Sequence, residues 1–537
     1  MSNSVLDGVD ALLAAFALGF ALKAYFTKPK LPQLEGIRLP PGPTLLPVIG
    51  FPLAVDMNAP WVTYKDWGSQ YGDMLYIRIF GQDSIIINSE KIARDLLEHR
   101  SQNYSDRPEM PINELFGLDY LTVFAGYNSR WRLHRKILQQ SFRQHAALGF
   151  RPMQETKAHE LVLNLLEDPV DYPKHLEAHS GSIIMSAVYS YGAARRDDHM
   201  INVVKMSADV LKDANMALLG IFSTFPSLFR LPSWLPGMSP KRLAHLSKKL
   251  SADLLNIPFT YTECGLVSVT RCGVLCSQES VQATGSISPC LVADHLLELD
   301  ESDSDLAWQK KAVQESAATA CMAGTETTAS ALMNFILAMI LQPDIQEKAH
   351  ELIESLVGKQ RLPTFEDRPS LPYVDAILRE CLRWHPVTPL GIMHAAVDSD
   401  VYNGYYIPGG FVVTPNIWAM CQNEEKYPNA SEFKPERFLN SDGTLTDDTV
   451  NFVWGFGRRV CPGRHLAEAS LWSAMACLLA IFKFSKAKDE TGRDIEIEPQ
   501  WVGEFTVRPL PFPCSITPRN AEMDVTGLHD LIRTVEF

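Results

Sequence analysis

The residue with the most chemistry gathered around it is Cys461. It lies in the run Trp454-Gly455-Phe456-Gly457-Arg458-Arg459-Val460-Cys461-Pro462-Gly463-Arg464. Glycines stand on both sides of it, two arginines precede it, and a helical pattern over residues 465–482 follows. Glycine lets backbone approach a flat ligand closely and supplies positive φ. The amide N–H groups and positive end of the following helix favour a thiolate over a thiol. A soft thiolate in a dry loop is suited to ligating iron. A structural cysteine would need no such company, although a lone Cys in a glycine loop is weak evidence taken alone.

Two further groupings could carry charge or protons. Glu380-Cys381-Leu382-Arg383 puts an acid and a base at i and i+3, on one face of a helix. Alone it reads as an everyday helix-surface salt bridge. Ala323-Gly324-Thr325-Glu326-Thr327-Thr328 sits inside a long helical pattern over residues 305–341. Small Ala323 and Gly324 leave room for a ligand against that helix. Glu326 and Thr327 put a carboxylate and a hydroxyl mid-helix, where Thr is unfavourable on propensity. The plain alternative is a Thr that bonds back to its own helix carbonyl.

The cysteine loop resembles the haem-ligand loop of the cytochrome P-450 family, F-x-x-G-x-R-x-C-x-G. It matches at Gly457, Arg459, Cys461 and Gly463, with Trp454 where the family has Phe. Trp keeps an aromatic face near the sulfur. Three more motifs follow in the family's order: the helix motif 323–328, E-x-x-R at Glu380 and Arg383, and Phe433-Lys434-Pro435-Glu436-Arg437-Phe438. The likeness extends from about residue 39 to 520 and is nearest to fungal microsomal members. It implies haem b with Cys461 as axial thiolate ligand, and a buried network of Glu380, Arg383 and Arg437. It implies a proton relay through Thr327 and Glu326 to dioxygen at the iron. Trp131-Arg132-Leu133-His134-Arg135 is similar to the family's W-x-x-x-R helix, which places Trp131 and Arg135 near a haem propionate; Arg459 and His394 join them there. The distal cavity, by position in the family, is lined by Phe116, Leu118, Phe124, Ala320, Ala323, Leu390, Ile392, Met393 and Phe505. Apolar walls with few polar groups suit a hydrophobic small molecule.

The resemblance therefore implies a monooxygenase that oxidises a hydrophobic molecule with O2, in fungal terpenoid or polyketide metabolism. The chain has no G-x-G-x-x-G fingerprint for flavin or nicotinamide. NADPH and flavin then belong to a separate NADPH-cytochrome P-450 reductase, with cytochrome b5 as a second candidate donor. Two alternatives stand beside this: a haem-thiolate isomerase or dehydratase that needs no O2, and a haem-free inactive product. The presence of both Glu326 and Thr327 argues against the isomerase.

These residues must be positioned by a scaffold, and the sequence outlines one. Helical periodicity dominates, for example over residues 91–99, 131–142, 305–356 and 374–384. Strands are expected at 74–79 and 83–87, and a hairpin over 401–413 around Pro408-Gly409-Gly410. The expected fold is mainly α with small β-sheets, one large haem-binding domain over residues 61–520. Residues 11–22 are uninterruptedly apolar, and Lys23, Lys28, Lys30 and Arg38 follow them. A bilayer span takes roughly 20 residues, so residues 1–30 read as a membrane anchor only if Lys23 snorkels. The flanking charge leaves the catalytic domain cytoplasmic, and the resemblance to microsomal members implies the endoplasmic reticulum membrane. Residues 31–60 form a proline-rich hinge and residues 521–537 a C-terminal tail. Residues 264–289 show no helical period, hold three cysteines and read as a surface insertion, or as translated intron. No C-x-x-C pair supports zinc there. The chain has 537 residues with 46% apolar, which excludes disordered and coiled-coil classes. Its net charge of −14 gives nucleic acid no general attraction.

Overall fold

The computed structural model describes residues 36–43, 55–79, 82–213, 230–232, 234–235, 238–270, 287–503 and 505–533. The expected anchor over residues 1–30 lies outside the described residues, as do most of the hinge and residues 271–286 of the suspected insertion.

Thirteen helices carry the architecture used below: α1 (Pro60–Tyr71), α2 (Glu90–Arg94), α3 (Ser129–Phe142), α4 (Arg151–Glu167), α5 (Tyr172–Tyr189), α6 (His199–Asp213), α7 (Ser239–Thr270), α8 (Leu291–Leu297), α9 (Leu306–Leu341), α10 (Pro343–Val357), α11 (Pro372–Trp384), α12 (Arg464–Ile481) and α13 (Val525–Arg533). The helix α9 is apolar nearly all round and buried along most of its length, the pattern of a central helix. Among the described residues it is the one helix long and apolar enough to cross a membrane, yet 78% of its most apolar window is buried in the protein. It is a core element.

Packing of α9 against α5 explains one residue differently from the sequence expectation. A Cβ on Gly324 would sit 2.9 Å from the Ile184 side chain, and the Gly324 carbonyl accepts the Ser180 hydroxyl at 2.8 Å. The glycine permits close helix–helix approach rather than leaving ligand space. Ala323, next to it, is exposed, and Thr327 one turn on is half-buried. That stripe of α9 borders open space.

The strands expected at 74–79 and 83–87 form: β1 (Met74–Ile79) and β2 (Gln82–Ile87) pair antiparallel, Met74 opposite Ile87. Beside them lie β3 (His394–Ala395) and β6 (Val412–Pro415), in the order β1-β2-β6-β3. The hairpin is not where it was expected. It joins β4 (Asp400–Tyr402) to β5 (Tyr405–Ile407) through Asn403-Gly404, both at positive φ (50° and 77°). Asn-Gly at positive φ matches the twist of the flanking strands, which Pro408-Gly409 cannot. Gly409-Gly410 instead turn the chain into β6, which pairs parallel with β2. The remaining strands are β7 (Phe482–Lys486), β8 (Trp501–Val502), β9 (Arg508–Pro509) and β10 (Cys514–Pro518), paired β7 with β10 and β8 with β9.

The proline connector is extended, as three fixed prolines require. Its Pro41 carbonyl accepts the Tyr76 amide at 3.0 Å, and Gly42 lies so close that a Cβ would meet the Tyr76 carbonyl oxygen at 2.0 Å. Of residues 264–289, read as non-helical in the sequence, the described ones at the N-terminal end are helical. Residues Cys264 to Thr270 are the last turns of α7, whose apolar stripe carries the helix past the point where local composition turns small and polar. The C-terminal tail likewise contains a helix: α13 buries Leu528 against the main core.

Candidate active site

The cysteine loop starts from α12, whose N-terminal cap is Gly463. The preceding turn holds Gly455 at φ +83° and Gly457 at φ +54°. A Cβ on Gly457 would lie 2.2 Å from the Leu97 carbonyl oxygen. Only glycine allows both that φ and that approach. The contact comes from a π-helical turn, Asp95–His99, which continues α2 and rests on the Gly457–Arg459 turn. The Trp454 carbonyl accepts the Cys461 amide at 2.8 Å and closes the loop. At Gly463 an added Cβ would meet no protein atom within 4 Å, so protein packing does not demand glycine there.

Burial pushes the Cys461 thiol pKa up; the Gly463 amide and the guanidiniums of Arg135 and Arg464 pull it down without cancelling that effect. The amides and guanidiniums act in the direction the sequence reading gave them, against the burial. A coordinating metal cation deprotonates such a thiol outright.

Above the loop lies a set of guanidiniums. Arg459 donates from Nε to the Ser105 carbonyl and from Nη2 to the Ala125 carbonyl, both at 2.8 Å, and lies over the Trp131 ring at 4.2 Å. Its Nη1 is buried with no partner among the described residues. Arg135 donates to the Val460 carbonyl at 2.5 Å. A third arginine, Arg107, was not found in the sequence. It is buried, and it donates to the carbonyls of Val123 at 3.0 Å and Met393 at 2.6 Å. No motif surrounds it; long-range packing alone brings it here. Burial lowers all three pKa values, that of Arg459 to about 10, and neighbouring guanidiniums add to it: Arg459 for Arg107, Arg135 for Arg459 and Arg464 for Arg135. The nearby carboxylate is Asp106, already accepting the amides of Arg107 and Tyr127. Excess buried positive charge with an orphaned N–H calls for an anionic ligand.

His394 is buried, and its Nδ1 donates to the Tyr104 carbonyl at 2.7 Å. Burial first, then Arg107, holds its pKa well below the usual range, so the ring is neutral. Nε2 is the atom left for a ligand.

The network implied for Glu380 is complete in the structure. Its carboxylate accepts from Arg383 Nε (2.6 Å) and Nη2 (2.7 Å), Arg437 Nε (3.1 Å) and the Lys434 amide (2.6 Å). Arg383 also donates to the carbonyls of Cys421, Ala430 and Glu432. Glu380 and Arg383 are fully buried, and every charge has its hydrogen bonds, the condition under which a buried ion cluster is tolerated.

On α9 the two residues expected to act together face different ways. Ala320, Ala323 and Thr327 form one stripe, and the Thr327 hydroxyl donates to the Ala323 carbonyl at 2.8 Å. Glu326 lies with Met322, Thr325 and Ala329 on another, lining a charged cavity bounded by α5, α6 and β9. Of the expected cavity residues, Phe124 and Phe505 meet edge-to-face with centroids 5.9 Å apart. Ile392 and Met393 are half-buried, with their carbonyls held by Arg107. Leu390 packs on the sheet cluster with Ile77 and Ile86. Phe116 and Leu118 are buried in a core cluster that includes residues of α3, α5, α7 and α9.

Among the described residues no three His, Cys, Asp or Glu side chains group as a metal cage. One cysteine sulfur in a glycine loop, an unsatisfied guanidinium beside it and an indole under that guanidinium instead fit a planar macrocycle that brings its own metal ligands and carries carboxylates. This is the donor set of a haem-thiolate protein. The chain belongs to the cytochrome P-450 family: the family model described as Cytochrome P-450 matches residues 40–514. It is similar to the cytochrome P-450 monooxygenase COX1 of Coprinopsis cinerea, 34% identical, with 94% of this chain and 96% of the relative covered. It is 34% identical to the cytochrome P-450 monooxygenase claR of Ampulloclitocybe clavipes, covering 93% and 88%. Against cytochrome P-450 monooxygenase 208 of Postia placenta it is 35% identical, covering 92% and 93%. The chain is a cytochrome P-450 monooxygenase, and the family carries haem with a cysteine thiolate ligand.

Proposed function

We propose that this monooxygenase inserts one oxygen atom into a C–H bond of a hydrophobic small molecule in fungal secondary metabolism, on a terpenoid or polyketide skeleton. The balance is R–H + O2 + two electrons + two protons giving R–OH + H2O. The electrons come from NADPH through a separate flavoprotein reductase, and residues 1–30 hold the enzyme at the endoplasmic reticulum membrane. When bound, haem supplies the redox chemistry and dioxygen activation.

The protein's own residues supply the rest. Cys461 donates its sulfur as ligand. Arg459, with its spare Nη1, and Arg135 and Trp131 hold the carboxylate edge, and His394 would join them there on gaining a proton at Nε2. Thr327 stands at the open stripe of α9, where its hydroxyl can turn from the Ala323 carbonyl to hand on a proton. Phe124, Phe505, Ile392 and Met393 supply apolar surface. The unpartnered Nη1 of Arg459 close to a lone cysteine loop carries the reading, because nothing among the described residues satisfies it.

The test is purified protein reconstituted with hemin, reductase and NADPH, followed by metabolite profiling of a host that co-expresses the reductase with candidate substrates. A thiolate-type Soret band in the reduced carbon-monoxide complex, lost in Cys461→Ser, is expected. Product formation should need NADPH, reductase and O2 together. Product without NADPH or O2 would favour an isomerase instead.

A further inference from the structure

Glu315 is a buried carboxylate that the chemistry above does not use. It lies on α9, N-terminal to the stripe of Ala320, Ala323 and Thr327, with its side chain 6% exposed. Its Oε2 accepts Arg130 Nε of α3 at 3.0 Å. His134 Nε2, on a fully buried ring one turn further along α3, stands 3.2 Å from the same oxygen. Burial pushes the Glu315 carboxyl up, but His134 and Arg130 outweigh it and hold its pKa below the ordinary range. The group is therefore a buried anion with its partners in place. On the other side of the ring, His134 Nδ1 and the Thr122 hydroxyl share a hydrogen bond of 2.9 Å. Facing a carboxylate, the neutral ring keeps its proton on Nε2, so Nδ1 accepts the Thr122 O–H. The Thr122 amide donates to the Thr319 hydroxyl at 3.1 Å, which itself donates to the Glu315 carbonyl at 2.8 Å. Two chains of contacts thus join Glu315 to residue 122, one through the His134 ring and one along α9.

Residues 122–128 belong to no helix or strand, so regular backbone bonding does not fix their course. Side chains fix it instead. The Val123 carbonyl accepts Arg107 Nε at 3.0 Å, and the Ala125 carbonyl accepts Arg459 Nη2 at 2.8 Å. Between those two ties, Phe124 sets its ring against Phe505. We propose that Glu315, acting through His134 and Thr122, is a positioning residue that fixes how far the Phe124–Phe505 pair reaches over the haem site, and so which hydrophobic molecules fit there. The inference rests on the monooxygenase reading. A buried ion cluster suits this task because any other arrangement of the segment leaves a charge unpaired in a low dielectric. Glu315, His134 and Thr122 select substrate through the place they give Phe124, without touching it themselves.

The experiment uses the full chain loaded with haem and two probes, imidazole and 4-phenylimidazole, each titrated by the shift of the Soret band. Imidazole is small enough to reach the iron without touching the walls, whereas the phenyl group must meet the apolar surface. Thr122→Val keeps the side-chain volume and removes the hydroxyl; Thr122→Ser keeps the hydroxyl and removes a methyl group. Thr122→Val should weaken 4-phenylimidazole about fivefold, and Glu315→Gln, which keeps one acceptor, about threefold. Imidazole affinity should stay at the parent value in both, and Thr122→Ser should match the parent for both probes. In a Phe124→Ala background, adding Thr122→Val should change nothing further. Amide hydrogen exchange over residues 122–128 should rise about tenfold in Thr122→Val. Equal weakening of both probes, a larger loss in Thr122→Ser than in Thr122→Val, or unchanged exchange overturns the proposal. So does a further loss in the Phe124→Ala background. Should Glu315→Gln fail to fold, the two Thr122 variants still decide. A missing thiolate-type Soret band in the parent protein would instead sink the haem reading, so the two failures are told apart.

Discussion

Replacing Glu380 by Gln tests how the buried ion network supports the site. The change keeps shape but converts one carboxylate oxygen into an amide that faces N–H donors, and it leaves Arg383 and Arg437 without an anion. Four hydrogen bonds of 2.6–3.1 Å end on that carboxylate. Both Glu380 and Arg383 are 0% exposed, so water cannot replace them. Breaking a buried pair from one side costs about 3–5 kcal/mol. Domains retain only about 5–15 kcal/mol in total, so the variant should lose about a fifth or more of its stability. Denaturant unfolding of the Glu380→Gln protein should show a midpoint lowered by that amount with its slope unchanged. Core damage would give the same loss, so Arg383→Met and the double variant complete a cycle. A coupling of about 1.5 kcal/mol or more is expected for residues joined by two hydrogen bonds. A single-variant loss under about 1 kcal/mol, or coupling under about 0.5 kcal/mol, would refute the reasoning.

Gly457→Ala should destabilise the cysteine loop by about 2–5 kcal/mol, the sum of left-handed backbone strain and overpacking against the Leu97 carbonyl. Lower haem retention with a lower unfolding midpoint would show it, and wild-type values for both would contradict it. Arg459→Leu removes a charge-assisted hydrogen bond worth about 1.5–3 kcal/mol, so hemin should dissociate to an acceptor globin about 10–100-fold faster. Thr327→Ala should leave NADPH consumption running while more of it ends as hydrogen peroxide; undiminished coupling would argue against a proton role. His179 donates from Nδ1 to the Lys157 carbonyl at 3.0 Å, and burial pulls its pKa down to about 4. The unfolded chain binds that proton near pH 6.5, so stability is full above about 6.5 and falls by about 1.4 kcal/mol per pH unit down to about 4. Unfolding midpoints at pH 7 and 5 should converge in His179→Asn by that amount.

Local, contiguous features were legible in the chain. The cysteine loop, the helix periodicities of α3, α9, α11 and α12, and the alternating strands β1 and β2 each depend on residues a few positions apart, so their physics is written in order. What depended on distant partners was not legible. Arg107 has no motif, and only the meeting of residues 107, 392–393 and 459 in space makes it part of a guanidinium cluster. Gly324 looked like ligand space, but α5 packs on it through Ile184, and Phe116, expected at a pocket wall, is buried in a core cluster. The hairpin moved from Pro408-Gly410 to Asn403-Gly404 because β6 is recruited by β2, a strand more than three hundred residues earlier. Thr327 and Glu326 are neighbours in sequence, but the helix turns them into two different spaces. One-dimensional spacing determined which groups are present, whereas the packing of α5, α6 and β9 around α9 decided what each group faces, because burial and electrostatics are set by all elements at once.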